Sequence, residues 1–215
     1  MAKINLAITG CLGRMGRQLI KTAVKDRSVK IVSLTENTFL NKKISGIYLE
    51  KNSEKAFRNA HVIIDFTSPK CTFEVLKIAS KLKKKVVIGT TGFSKTEENH
   101  IKKFSKKISI LKAGNMSLGI NLLMFLTEIT SKTLGVKYLN KKSFPYGKKT
   151  NFNSLRKGEI IGEHEVKFSS GKEIISLNHE AFDRSLYSEG ALEAAKWISS
   201  KKPGLYSMRD LLNLK

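Results

Sequence analysis

Seven residues near the start of the chain, Gly10-Cys11-Leu12-Gly13-Arg14-Met15-Gly16, do most to decide what it can fold into. They follow an apolar, β-branched run at 4–8 and open an amphipathic stretch at 14–25. Glycines at this spacing permit a tight turn, a close approach of backbone to a pyrophosphate, and close packing of helix on sheet. Exposed N–H groups and the dipole of the following helix then favour phosphate. Leu12 stands where a middle glycine often sits, and a glycine-rich turn taken alone is often only a turn. The motif gains weight from Glu36, which follows Gly16 by 20 residues at the end of the next strand-like run. A carboxylate there accepts hydrogen bonds from adenosine ribose hydroxyls and repels a 2′-phosphate. The pattern therefore predicts a dinucleotide site that prefers NADH, with NADPH as the second cofactor. Asn37, not an arginine, is the neighbour, while Lys42 and Lys43 lie close enough in sequence to soften the preference.

Strand-like runs at 4–8, 29–34, 62–66, 86–88 and 108–111 alternate with helix-like stretches at 14–25, 71–82 and 95–106. In the second of these, Val75, Leu76, Ala79 and Leu82 recur at helical spacing. Such alternation predicts an α/β fold, a Rossmann-like doubly wound parallel sheet with helices on both faces. Ligands of such sheets lie outside the carboxyl ends of the strands. Asp65-Phe66-Thr67-Ser68-Pro69 and Gly89-Thr90-Thr91-Gly92-Phe93 both end strands there, although turn chemistry alone would also select such residues. The pattern changes after Gly114. An apolar helix is expected over 118–134, then a basic, turn-rich stretch at 141–149. Two strands follow at 159–168 and 173–178, joined through Ser169-Ser170-Gly171, and helices at 189–200 and 205–212 close the chain. This second, smaller part reads as α+β with a mixed sheet.

Composition narrows the function classes. A formal charge of +22 invites a nucleic-acid reading, but the cations are 33 Lys against 7 Arg, spread along the chain and not interleaved with aromatics. A solvated lysine coat that draws in small anions fits better, so no nucleic acid is expected. No apolar stretch approaches the length of a membrane span, and the start lacks a signal-peptide core. Two cysteines make no disulfide framework, and no Cys/His spacing suggests a metal site. The expectation is a reduced, cytoplasmic protein with neither membrane nor metal.

Taken in order, these segments resemble one family, bacterial 4-hydroxy-tetrahydrodipicolinate reductase, also called dihydrodipicolinate reductase, of lysine biosynthesis. The resemblance is carried by Gly10 to Gly16, Glu36, Asp65-Phe66-Thr67, Gly89 to Phe93 and Ala113-Gly114-Asn115-Met116-Ser117-Leu118-Gly119-Ile120-Asn121. It continues through Gly158-Glu159-Ile160-Ile161-Gly162-Glu163-His164-Glu165-Val166 and Gly204-Leu205-Tyr206-Ser207-Met208-Arg209-Asp210-Leu211-Leu212. It implies a dinucleotide-binding domain at 1–117 completed by 184–215, a shortened substrate and oligomerisation domain at 118–183, and a homotetramer built through that domain's sheet. It also implies hydride transfer from a nicotinamide to a cyclic, unsaturated imine dicarboxylate. Gly10, Cys11, Leu12, Gly13, Arg14 and Met15 would wrap the pyrophosphate and Glu36 the ribose. Gly89, Thr90 and Thr91, with Ala113, Gly114, Asn115 and Met116, would line the nicotinamide end.

One departure is conspicuous. The family carries a His-His-x-x-x-Lys-x-Asp-Ala-Pro-Ser-Gly-Thr-Ala stretch whose histidine and lysine serve proton transfer and whose Ser-Gly-Thr turn binds a substrate carboxylate. The span 136–157 of this chain contains no histidine and holds Lys141-Lys142-Ser143-Phe144-Pro145-Tyr146-Gly147-Lys148-Lys149 instead. Lys141, Lys142, Lys148 and Lys149 are candidates for holding carboxylates, and Tyr146 or a lysine for donating a proton, against a plain reading as a solvated turn. Arg184 matches a family arginine near the substrate, with a structural ion pair as the equal alternative. His164 and His179 read as structural. The expected activity is nicotinamide-dependent reduction of 4-hydroxy-tetrahydrodipicolinate to tetrahydrodipicolinate. The alternatives are a nucleotide-binding homologue with a regulatory or assembly role, and a reductase of another small imine acid.

Overall fold

The apolar runs of the first half are nearly unbroken because each becomes a strand covered on both faces. In the computed structural model, which describes residues 3–38, 42–134, 161–170 and 172–214, the order is β1 (Ile4–Thr9), α1 (Arg14–Lys25), β2 (Val29–Thr35), β3 (Lys43–Ile44), β4 (Ile47–Glu50), α2 (Glu54–Phe57), β5 (Val62–Asp65) and α3 (Pro69–Leu82). There follow β6 (Lys85–Ile88), α4 (Lys95–Ser105), β7 (Ser109–Lys112), α5 (Leu118–Leu134), β8 (Gly162–Ser169), β9 (Ile174–Ala181), α6 (Ser185–Ile198), β10 (Gly204–Tyr206) and α7 (Met208–Leu211). Eight strands form one sheet in the order β10-β7-β6-β5-β1-β2-β4-β3, and β8 and β9 form a second, two-stranded sheet.

Successive strand residues go to opposite faces of the large sheet. Leu6, Ile8, Val62, Ile64, Val87 and Leu111 pack with Leu19, Ile20 and Ala23 of α1 and Leu192, Ala195 and Ile198 of α6. Ala7, Ile63, Val86, Ile88 and Ile110 pack on the other face against Phe57 of α2, Val75, Leu76 and Ala79 of α3, and Ile101 of α4. Each Val, Leu, Ile or Phe among them, fully buried, is worth roughly 1.5–3 kcal/mol. One whole face thus depends on a helix from near the end of the chain. α6 fits there closely: a Cβ on its Gly190 would fall 1.8 Å from the Met116 carbonyl oxygen.

The structure departs from the sequence pattern at identifiable places. β3 and β4 form a tight hairpin turned by Ser45 (φ 50°) and Gly46 (φ 80°), and α2 follows it. Their short runs carry too few residues to show a period. The helix expected over 205–212 is α7 alone; Gly204, Leu205 and Tyr206 pair in parallel with Ser109, Ile110 and Leu111 of β7. An open sheet edge offers backbone partners that outweigh a weak helical preference. α6 starts at Ser185, four residues before the expected 189. Residues 159–160 of the next expected strand lie outside the described residues. Among the described residues the second sheet is the antiparallel pair β8 and β9, where a mixed sheet was expected, and the large sheet carries mixed pairing through β3 and β4.

α1 and α6 are tied at their ends by Asp26, which meets Lys196 at 2.7 Å and accepts from the Ser28 amide and hydroxyl. Burial alone would raise the Asp26 carboxyl, but Lys196 and Ser28 outweigh it and hold it down at about 2. With the folded value depressed, this contribution is complete above the ordinary carboxylate range near pH ~4 and is lost as pH falls towards about 2. Lys196→Met should therefore cost about 1 kcal/mol at neutral pH, solvent screening included, and flatten the acid limb of the urea midpoint plotted against pH. An acid limb identical to wild type would count against the pairing.

Candidate functional site

The chain runs from β1 outward through β2 and β4 and then crosses back, so that β5 pairs with the other side of β1. The carboxyl ends of β1 and β5 therefore diverge into a crevice, and the glycine-rich turn lies there. Gly10 has φ +63°, and a Cβ on it would lie 2.7 Å from Thr67 Cγ2. Gly16 is tighter still, with its absent Cβ only 2.2 Å from the Gly10 carbonyl oxygen. The Gly13 N–H donates to that carbonyl at 3.0 Å and the Cys11 N–H to Thr35 O at 3.3 Å. Ser53, Ser68 and Ser94 cap α2, α3 and α4 with their side chains, whereas α1 begins at Gly13 with no side-chain cap. The start of α1 so retains N–H groups that suit a pyrophosphate.

Glu36, just past β2, closes this turn from the side. Its Oε2 accepts the Leu12 N–H at 3.1 Å and its Oε1 the Asn37 N–H at 2.9 Å. The adjoining cleft is lined by Gly10, Thr35, Glu36, Asn37, Asn52, Thr67, Ser68 and Cys71. Among the described residues that line it there is one carboxylate and no lysine or arginine. Lys43, expected to soften that charge, instead carries its ammonium over the Tyr48 ring at 4.4 Å. The two thiols beside the cleft are poor nucleophiles. Burial, then the charge of Glu36, pushes Cys11 up to about 11, and burial raises Cys71.

Asp65 ends β5 with no exposed surface. Its Oδ1 accepts the hydroxyls of Thr9 at 2.7 Å and Thr67 at 2.6 Å; its Oδ2 accepts those of Thr72 and, at 3.3 Å, Thr90. Thr90 Oγ1 also accepts the Thr67 N–H at 2.9 Å. The Thr90 hydroxyl is thus engaged within the protein, and Thr90 itself is buried. Gly89 is held close beneath: its Cβ would lie 2.1 Å from Phe66 Cε1.

Gly114 lies beside Thr91, with Cγ2 of the latter 4.0 Å from where a Gly114 Cβ would be. The two segments assigned to the nicotinamide end therefore adjoin. Asn115 Oδ1 accepts the Ser117 N–H at 2.8 Å, and Asn121 Nδ2 donates to the Asn115 carbonyl at 2.9 Å. Cys11 and Met116 are core residues, 0% and 1% exposed, so neither side chain is open to a ligand. His164 and His179 oppose each other across β8 and β9, ring centroids 5.6 Å apart. Arg184, at the start of α6, has no carboxylate partner among the described residues. Lys141, Lys142, Tyr146, Lys148 and Lys149 lie outside the described residues. Thr9, Asn52, Cys71 and Thr72 were not singled out by the sequence. Asn52 follows the unforeseen hairpin, and Thr72 would have been found by its place one helical turn past the Ser68 cap.

Among the described residues no helix is long and apolar enough to cross a membrane. The model for dihydrodipicolinate reductase, N-terminus, matches residues 4–116, and that for its C-terminus residues 76–212. The chain is 60% identical over 258 aligned positions to the 4-hydroxy-tetrahydrodipicolinate reductase of Pelagibacter ubique, all of both chains being covered. It is 37% identical to the enzyme of the same name from Buchnera aphidicola subsp. Schizaphis graminum, with 96% of each covered, and 32% identical to that of Aquifex aeolicus, with 98% and 99% covered. Among solved structures, a dipicolinate-bound dihydrodipicolinate reductase from Paenisporosarcina sp. TG-14 shares the fold, with a TM-score of 0.75 at 16% identity over 95% of this chain and 97% of that one. Gly16→Ala should strain the turn against backbone on the far side and cost about 3 kcal/mol in urea unfolding. A loss under 1 kcal/mol would mean that the turn has slack.

Proposed function

Since the chain belongs to the dihydrodipicolinate reductase family, we infer that its reaction is the reduction of 4-hydroxy-tetrahydrodipicolinate in lysine (diaminopimelate) biosynthesis, with a pyridine nucleotide as reductant. The observation that carries this reading is the uncapped, glycine-tight turn closed by Glu36, since those residues fit a dinucleotide. Gly10 to Met15 would wrap the pyrophosphate, with Arg14 and Met15 at the uncapped start of α1 offering it backbone N–H groups, and Glu36 would offer its carboxylate to the ribose. Gly89 to Thr91 and Ala113 to Met116 would wall the nicotinamide end. Bound there, the reduced nicotinamide supplies the hydride. None of the described residues lining the cleft beside Glu36 is a lysine or arginine, which supports NADH over NADPH.

Residues 1–117 with 184–215 form the nucleotide-binding unit in this reading, and 118–183 a shortened substrate unit. The lack of histidine over 136–157 supports a rebuilt substrate side. Lys141, Lys142, Lys148, Lys149 and Arg184 are the cations for two substrate carboxylates, and Tyr146 or a lysine is the proton donor. A homo-oligomer is supported by apolar side chains left open on α5 and beside β9, among them Met124 (61% exposed) and Phe182 (82%). Light scattering should report more than one copy.

The deciding experiment couples the purified protein to the family's synthase, which supplies the unstable substrate, and follows NADH absorbance. Oxidation well above background is expected. NADH binding without oxidation would instead favour a nucleotide-binding homologue of regulatory role. Glu36→Ala should weaken NADH binding about tenfold by titration, one charge-assisted bond being worth roughly 1.5–3 kcal/mol. Unchanged affinity would remove Glu36 from the ribose.

A further inference from the structure

We propose that Asp65 is a positioning residue whose buried charge makes the nucleotide site favour the oxidised, cationic nicotinamide over the reduced, neutral one. This rests on the nucleotide-binding reading above and deepens it. Asp65 is fully buried, and among the described residues no cation pairs with it. What holds it are four threonine hydroxyls and the first turn of α3, into which Thr72 falls. Dipoles of this kind tolerate a carboxylate without cancelling its charge, and in a low-dielectric interior the residual field reaches several ångströms. One of the four, Thr90, belongs to the segment assigned to the nicotinamide end, and Gly89 beside it is pressed onto Phe66, the residue after Asp65.

The charge change at that end is definite. Giving up a hydride, one proton with two electrons, to the substrate's conjugated imine turns a neutral dihydropyridine ring into a pyridinium cation. A fixed anion behind the segment that would wall the nicotinamide would stabilise that product and the transition state leading to it. Thr90 links the carboxylate to that segment, because its hydroxyl donates to Asp65 while accepting the Thr67 N–H.

The test compares dissociation constants for NAD⁺ and NADH by calorimetry, so that no turnover is needed. Asp65→Asn should weaken NAD⁺ roughly tenfold more than NADH, the size expected for one charge across several ångströms of protein. Equal weakening of both would mean a merely structural role and overturns the proposal. Should Asp65→Asn fail to fold, Thr72→Val decides. It withdraws one screening hydroxyl from the carboxylate, so the preference for NAD⁺ should rise about twofold, and an unchanged or reduced preference overturns the proposal. A wild-type chain that binds neither nucleotide defeats the nucleotide reading itself, an outcome distinct from binding both with an unaltered ratio.

Discussion

A fully buried carboxylate that no described cation meets must be surrounded by donors, and the donors around Asp65 come from the ends of three strands and the start of a helix. Thr9 leads into the glycine turn, Thr67 and Thr72 frame the start of α3, and Thr90 begins the loop after β6. The loops that build the crevice are therefore not free to choose their positions one at a time. Moving any of them strands a hydroxyl or a charge, at a cost of about 1–3 kcal/mol for each unsatisfied group. Glu36 repeats the device at the outer end of the crevice, where one carboxylate gathers two backbone N–H groups from different segments. The cleft is rigid at its floor and polar at its rim.

That floor is only as firm as the sheet beneath it. On one face α2, α3 and α4 follow their strands closely in sequence, and packing there is local. On the other, α1 stands alone until α6 arrives, and the Asp26–Lys196 pair and the Gly190–Met116 contact fix α6 in place. The Met116 contact falls on the loop leading into α5, so the second sheet and its helix hang from the same joint. A further tie runs from Glu128 of α5 to Arg209 of α7.

Much of this was legible in the sequence. The glycine turn, Glu36 and the first helix stand where spacing put them, because parallel strands and amphipathic helices leave strong periodic signals over ten or more residues. The hairpin of β3 and β4 was not legible, since strands of two and four residues carry no period. Nor was β10, because a vacant sheet edge is a property of the assembled fold rather than of Gly204, Leu205 and Tyr206. The Asp65 segment was placed correctly at a strand end, yet its side chain turned inward. Sequence gives the end of a strand but not which way its last carboxylate faces.

The late arrival of α6 also sets a timetable for the chain as it is made. Ile64, Val87 and Leu111 need Leu192, Ala195 and Ile198 to cover them, and a ribosome adding about 5–20 residues per second delivers α6 many seconds after β1, β2 and β5 have emerged. For that interval the nascent sheet has one finished side and one wet, apolar side. Contacts between residues so far apart in sequence slow the final closure as well. The newborn chain thus offers a holding chaperone a broad greasy surface, one that disappears only when the last helix docks.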